Sequence, residues 1–137
     1  MRPTAIPAVL CAAISLAGPV AAERIVSAEE FEQMVTAKTL HFDRFGEAFG
    51  AEQYFEDKRV IWAFEGGQCQ RGIWFENVGG DICFVYDDNP VPQCWHFLQM
   101  DDGSFHARSI GSDPSEDLVK SSVGTDSLDC PLPDLGV

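Results

Sequence analysis

The chain has 137 residues and carries 22 acidic against 9 basic residues, a formal net charge of −13. Such a charge repels nucleic-acid phosphates and anionic lipid head groups, so neither is expected as a partner, and any charged partner should be cationic. A chain of this length, 45% hydrophobic, has material for one modest core and no room for two domains.

Residues 1–22 read as a secretory leader. Arg2 supplies its positive end, Ala8 to Ala17 its apolar stretch, and Val20-Ala21-Ala22 its small-residue cleavage site, with the cut after Ala22. The apolar run is too short to span a bilayer, which needs about 20 residues, so no membrane insertion is expected after cleavage. Cys11 leaves with the leader. Arg2 is the leader's one charged residue, so its loss makes the mature chain more acidic still.

The next segment carries a helix signature. Ser27 stands at an N-cap position, Glu30 completes a capping box, and Val26 with Phe31 are placed as a hydrophobic staple. Phe31, Met34 and Val35 share one face, which predicts a helix from Ala28 to Ala37 laid on something apolar.

From Lys38 to Ser109 the hydrophobic period changes to two, and turn residues recur about every 8 to 12 positions, the pattern of an antiparallel all-β domain. Strands are expected near 38–44, 48–55, 59–64, 69–76, 81–86, 93–99 and 104–109. The connections are short, among them Phe45-Gly46, Gly66-Gly67, Asp101-Asp102-Gly103 and a stiff proline-containing segment from Asp87 to Pro92, so successive strands should be neighbours. The fold expectation is one all-β domain, residues 23–110 with the N-terminal helix. Its sheet is a curled antiparallel meander of seven or eight strands, with closure into a small barrel left open. Residues 111–137 read as an acidic tail that includes Asp134 and is tethered by Cys130, with one short strand around Leu118 to Ser122 as an option.

Cys69, Cys83, Cys94 and Cys130 contain no Cys-x-x-Cys pair, so neither a zinc ribbon nor a thioredoxin-type redox site is spelled out. Two disulfides are expected: Cys83 with Cys94 across one hairpin, and Cys69 with Cys130 tying down the tail. Disulfides of this kind belong to an oxidising compartment, which agrees with export to the periplasm or the medium.

Aromatic residues alternate along the strands: Val60, Trp62 and Phe64; Gly72 and Trp74; Ile82, Phe84 and Tyr86. They fill a curled sheet, and Trp62, Trp74 and Phe84 are the candidates to face a ligand within it. Arg71 alternates with Cys69 and Ile73 on an otherwise apolar face; were it to point inward it would need a partner, with Glu52 in reach, and it is the candidate ligand anchor. His41, His96 and His106 form no metal-binding pair, and Asp87-Asp88 and Asp101-Asp102 do not match a calcium loop. No metal, cofactor or catalytic residue is expected: the chain has no Gly-x-Ser-x-Gly elbow, phosphate loop or dinucleotide fingerprint, and its thiols are committed to disulfides.

Gly-Ile-Trp at 72–74 is similar to the Gly-x-Trp of lipocalins, although it lies in a middle strand and not the first. Across residues 38–109, Glu52-Gln53-Tyr54, Val60-Ile61-Trp62, Cys69 to Trp74, Ile82-Cys83-Phe84-Val85-Tyr86 and Cys94-Trp95 resemble small exported proteins of unknown function from Gram-negative bacteria. These are built on a Gly-x-Trp, Ile-Cys-Phe-x-Tyr, Cys-Trp pattern. The resemblance implies a compact β domain outside the cytoplasm and brings no catalytic residues.

The functional expectation is a non-catalytic binding module taking a small molecule or a basic protein. The alternatives are an inhibitor of a secreted hydrolase, presenting the Asp87 to Pro92 segment, and an enzyme with an unlisted acid/base pair.

Overall fold

A computed structural model describes residues 1–5, 10–16, 18 and 22–130, and among these described residues it places nine strands, one α-helix and two short 3-10 turns. The expected leader falls partly outside them, through Ala8, Val9, Ala17, Val20 and Ala21, as does Asp134 of the expected tail. In chain order the elements are β1 (Glu23–Ile25), α1 (Ala28–Val35), β2 (Thr39–Arg44), β3 (Glu47–Tyr54), β4 (Arg59–Phe64), β5 (Cys69–Glu76), β6 (Ile82–Tyr86), β7 (Asn89–Met100), β8 (Phe105–Ser109) and β9 (Leu118–Gly124).

Strands β2 to β9 run up and down, each antiparallel to the next, and β9 returns to β2, with Leu40 opposite Val123. The result is a closed eight-stranded antiparallel barrel, with β1 added outside along β7. Curvature comes from irregular register: β2 shifts between Phe42 and Asp43 against β3 and between His41 and Phe42 against β9. An extra residue on one strand bends and twists it, as closure demands.

Helix α1 stops one end of the barrel. The Ser27 hydroxyl accepts from the Glu30 backbone N–H at 3.2 Å, as the capping box predicts. Glu30's own side chain turns instead to Arg24, with contacts of 2.7 and 2.9 Å. The helix ends at Val35, two residues earlier than expected, and Ala37 takes a positive φ of 62° where the chain enters β2. Phe31 is fully buried in the mouth of the barrel, its ring 4.3 Å from Phe97, 5.0 Å from Trp74 and 5.6 Å from Tyr54.

Both expected disulfides form, Cys83–Cys94 between paired positions of β6 and β7, and Cys69–Cys130 from β5 to the segment after β9. That segment lies along the outside of the barrel. Its Asp126 carbonyl accepts from the Thr39 hydroxyl at 2.6 Å, and the Gln53 side chain accepts from the Leu128 N–H at 3.0 Å. The region read as a tail therefore also supplies β9, the strand that closes the barrel. Val119 and Lys120 face the β2 register positions Asp43 and Phe42, and this pairing with a distant strand has no local signal.

The segment from Asp87 to Pro92 is not a projecting loop. Only Asp87 and Asp88 form the turn, and Asn89 to Pro92 already belong to β7, with Asn89 opposite Tyr86. Strand β7 is long enough to serve β6 with its first half and β8 and β1 with its second.

The seam between β8 and β9 is short, with His106 opposite Val119 and Ala107 opposite Leu118. Charge reinforces it. Arg108 donates to both carboxyl oxygens of buried Asp117 at 2.7 Å and to both of Glu23 on β1 at 3.0 Å, while His106 Nδ1 lies 3.0 Å from Asp117. Burial alone would raise the Asp117 carboxyl, but the bonds from Arg108 and His106 outweigh it and hold the group below its ordinary value.

Candidate functional site

Alternation along each strand decides what the barrel contains, because successive side chains point to opposite faces. The inward set includes Glu52 and Tyr54 of β3, Trp62 and Phe64 of β4, Gln70 of β5, Phe84 and Tyr86 of β6, and Gln93, Trp95 and Phe97 of β7. With α1 filling one end, these residues enclose a cavity of about 340 Å³ towards the other. Its rim carries exposed Phe64, Asp88, Asn89 and Gln93, and Phe49, Trp62 and Phe64 meet beside it with centroids 5.4 to 6.1 Å apart. The volume lies within the range of small-molecule sites.

The polar interior is built on one carboxyl. Glu52 is 2% exposed, and both its oxygens lie 3.1 Å from the Tyr86 hydroxyl. Burial pushes the Glu52 carboxyl well above the usual carboxylate range, against the smaller opposing effect of the Tyr86 bond. Tyr86 and Tyr54 are themselves pushed up by burial first and by Glu52 second. A neutral acid in such a site can donate as well as accept a hydrogen bond.

Two glycines shape these walls. A Cβ on Gly50 would stand 2.5 Å from Trp62 Cζ2, and one on Gly72 would strike the Val85 carbonyl and come within 2.8 Å of Tyr86 Cδ1. Both strands are bare where an aromatic ring must lie flat against the sheet. Gly72 of the Gly-Ile-Trp run thus serves Tyr86 on the neighbouring strand.

Of the residues expected to face a ligand, Trp62 and Phe84 line the cavity. Trp74 does not. It is buried at the stoppered end, between Phe31 and the Lys58 ammonium, which sits 3.9 Å from its ring centroid. Arg71 points outward, since its parity on β5 is opposite to that of Gly72 and Trp74; it borders an outer hollow with Asp87, Asp88 and Cys130. Its suggested pairing with Glu52 is therefore replaced by the Glu52–Tyr86 contact. The signal for Glu52 was present in Gly50-Ala51-Glu52-Gln53-Tyr54, where an acid alternates with a glycine and an aromatic on the inward face.

Outside the barrel, Ser104, His106 and Asp117 stand in a row, with Ser104 Oγ 3.0 Å from His106 Nε2 and His106 Nδ1 3.0 Å from Asp117. The row resembles a hydrolase triad in distances only. The Ser104 hydroxyl is also 2.6 Å from Asp102, and an oxyanion formed there would meet carboxylates. It braces the seam. His96, on the face of the Cys83–Cys94 disulfide, is likewise held, 2.8 Å from Asp81. Among the described residues, no group of three or more His, Cys, Asp or Glu is placed to hold a metal, and no helix is long and apolar enough to cross a membrane.

Fold and site together define a closed eight-stranded barrel with an internal, aromatic-walled cavity around a buried acid. Among known proteins, the chain matches no family model, no curated protein and no solved structure. Its two disulfides place it in an oxidising environment.

Proposed function

We propose that this protein is a non-catalytic binding module of the periplasm or the extracellular medium that takes a small, largely apolar molecule into its barrel. The observation that carries this reading is the cavity of about 340 Å³ among Trp62, Phe84, Trp95 and their neighbours, with Glu52, Tyr54 and Tyr86 as its buried polar groups and the other polar side chains towards its rim. Export is supported by the leader pattern, by the disulfides and by the resemblance of residues 38–109 to small exported proteins. The test is titration with an apolar naphthalene-type fluorophore. One equivalent should bind and change the emission of Trp62 and Trp95, and Ala107→Trp, which fills the cavity from β8, should abolish uptake. Binding that ignores Ala107→Trp, or no binding, overturns the reading.

A second reading draws on the same interior. Glu52 and Tyr86 converge within 3.1 Å, as an acid/base pair would, and a carboxyl kept neutral by burial could act as a general acid. Turnover abolished by Glu52→Gln would establish it. The inhibitor reading loses its projecting segment to β7, and a basic protein partner is left with the acidic exterior alone.

A further inference from the structure

We infer that the occupant of the barrel is a small organic ammonium ion, its charge paired with Glu52 and its carbon body packed against Trp62, Phe84 and Trp95. This rests on the cavity-binding reading and gives it a ligand class.

The first support is what Glu52 lacks. It is 2% exposed, and its hydrogen-bond partner is the Tyr86 hydroxyl. A phenol has one proton to give, whereas a carboxylate offers about four acceptor positions, so most of its capacity faces the space it lines. Burial of a carboxyl is strongly unfavourable to its charge, and an opposite charge at close range offsets that cost.

The second support is that the protein supplies no such charge. Among the described residues lining the cavity there is no Lys, Arg or His. Several of the chain's cations are engaged outside, as Arg108 is with Asp117 and Glu23, or Lys58 with Glu32 and the Trp74 ring; Lys120, which alternation along β9 turns inward, is taken up by the Phe105 ring 5.4 Å away, and Arg44, 5.5 Å from the Phe49 ring, pairs with Glu116. A cation to pair with the charged form of Glu52 would therefore come with the ligand, which on binding would release the carboxyl proton.

The walls supply the third. Aromatic faces attract cations through their ring quadrupoles, more strongly once water is excluded. Asp88 on the rim and the net charge of −13 give a field that draws a cation inward and turns an anion away. A neutral alcohol could use the hydrogen bonds but not the charge.

Four probes of one shape decide the matter: benzylamine, benzyl alcohol, toluene and benzoate, measured by calorimetry and by the emission of Trp62 and Trp95. In the unmodified protein benzylamine should bind at least about ten-fold tighter than benzyl alcohol, and benzoate should not bind. The preference should persist in about 0.5 M NaCl, because a buried pair is poorly screened. Glu52→Gln keeps the shape and the Tyr86 contact. It should bring benzylamine down to the level of the alcohol while alcohol and toluene bind as before. Equal affinity for amine and alcohol in the unmodified protein, or tighter binding of benzoate, overturns the ammonium assignment and leaves the cavity reading standing. If neither toluene nor any other probe enters, both fall. The ranking in the unmodified protein needs no variant, so a misfolded Glu52→Gln does not remove the test.

Discussion

Gly72 and Tyr86 face each other across the β5–β6 ladder, and the missing side chain of Gly72 is what lets the Tyr86 ring lie on the sheet and carry its hydroxyl to Glu52. A methyl group at position 72 meets the backbone carbonyl of Val85, which cannot step aside as a flexible side chain would. Gly72→Ala should therefore lower stability by about 1–3 kcal/mol, the usual range for overpacking, and should alter the near-ultraviolet signal of the cavity aromatics. An unchanged denaturation midpoint would show that the sheet accommodates the methyl group.

Glu52 sets a pH dependence of known sign. Its carboxyl is raised by burial, among Tyr54 and Tyr86, so the folded chain retains a proton that the unfolded chain has already lost. Stability from this group is fully present below the ordinary carboxylate value and declines as pH rises towards the raised one, by up to about 1.4 kcal/mol per pH unit. Glu52→Gln should flatten that decline between about pH 5 and 7, measured by denaturant unfolding. Parallel slopes in the two proteins would contradict the assignment.

At the seam the sign is opposite. Asp117 is held below its ordinary value, so its contribution is present at neutral pH and is lost as pH falls below the usual carboxylate range. Arg108→Ala removes the main partner and leaves Asp117 buried, which should cost about 3 kcal/mol at neutral pH and reduce the acid sensitivity of what remains. Full stability in the variant would mean that His106 alone satisfies the carboxylate.

Removing the Cys69–Cys130 link by Cys69→Ala with Cys130→Ala opens a loop with a sequence separation of 61. By chain entropy that costs about 4 kcal/mol. Amide exchange should rise along 125–130, where Thr39 and Gln53 hold the strap to the barrel. Exchange confined to other regions would show the strap to be docked without its bond.

The barrel was legible where its signals are local. The Ser27 cap, the Phe45-Gly46 turn and the cysteines of β6 and β7 each announce themselves within a few residues. What sequence left open is what depends on distant pairing. Strand β9 has the look of an acidic tail, because Ser121, Ser122 and Gly124 are exposed and its identity as a strand comes from Leu40 and Phe42. Trp74 and Trp62 share an inward pattern, and only the position of α1 separates the one that is covered from the one that faces space. Arg71 has apolar neighbours in Cys69 and Ile73, yet these are themselves on the outer face, so alternation with them places Arg71 outside as well. For β1, three exposed residues give no periodicity at all.

Because Leu40 pairs with Val123, closing the barrel joins its first strand to its last. The hairpins from β2 to β8 close over short spans, but the pairing that turns an open sheet into a barrel needs nearly the whole chain. Contacts so distant in sequence form slowly, and until they form both β2 and β8 present bare edges. A chain crossing a membrane in the unfolded state would meet this requirement naturally, since β2 and β9 come together only once both have arrived. The strap and its link to Cys69 lie across strands of that closed barrel, so the Cys69–Cys130 bond, like the closing pair, joins distant parts of the chain.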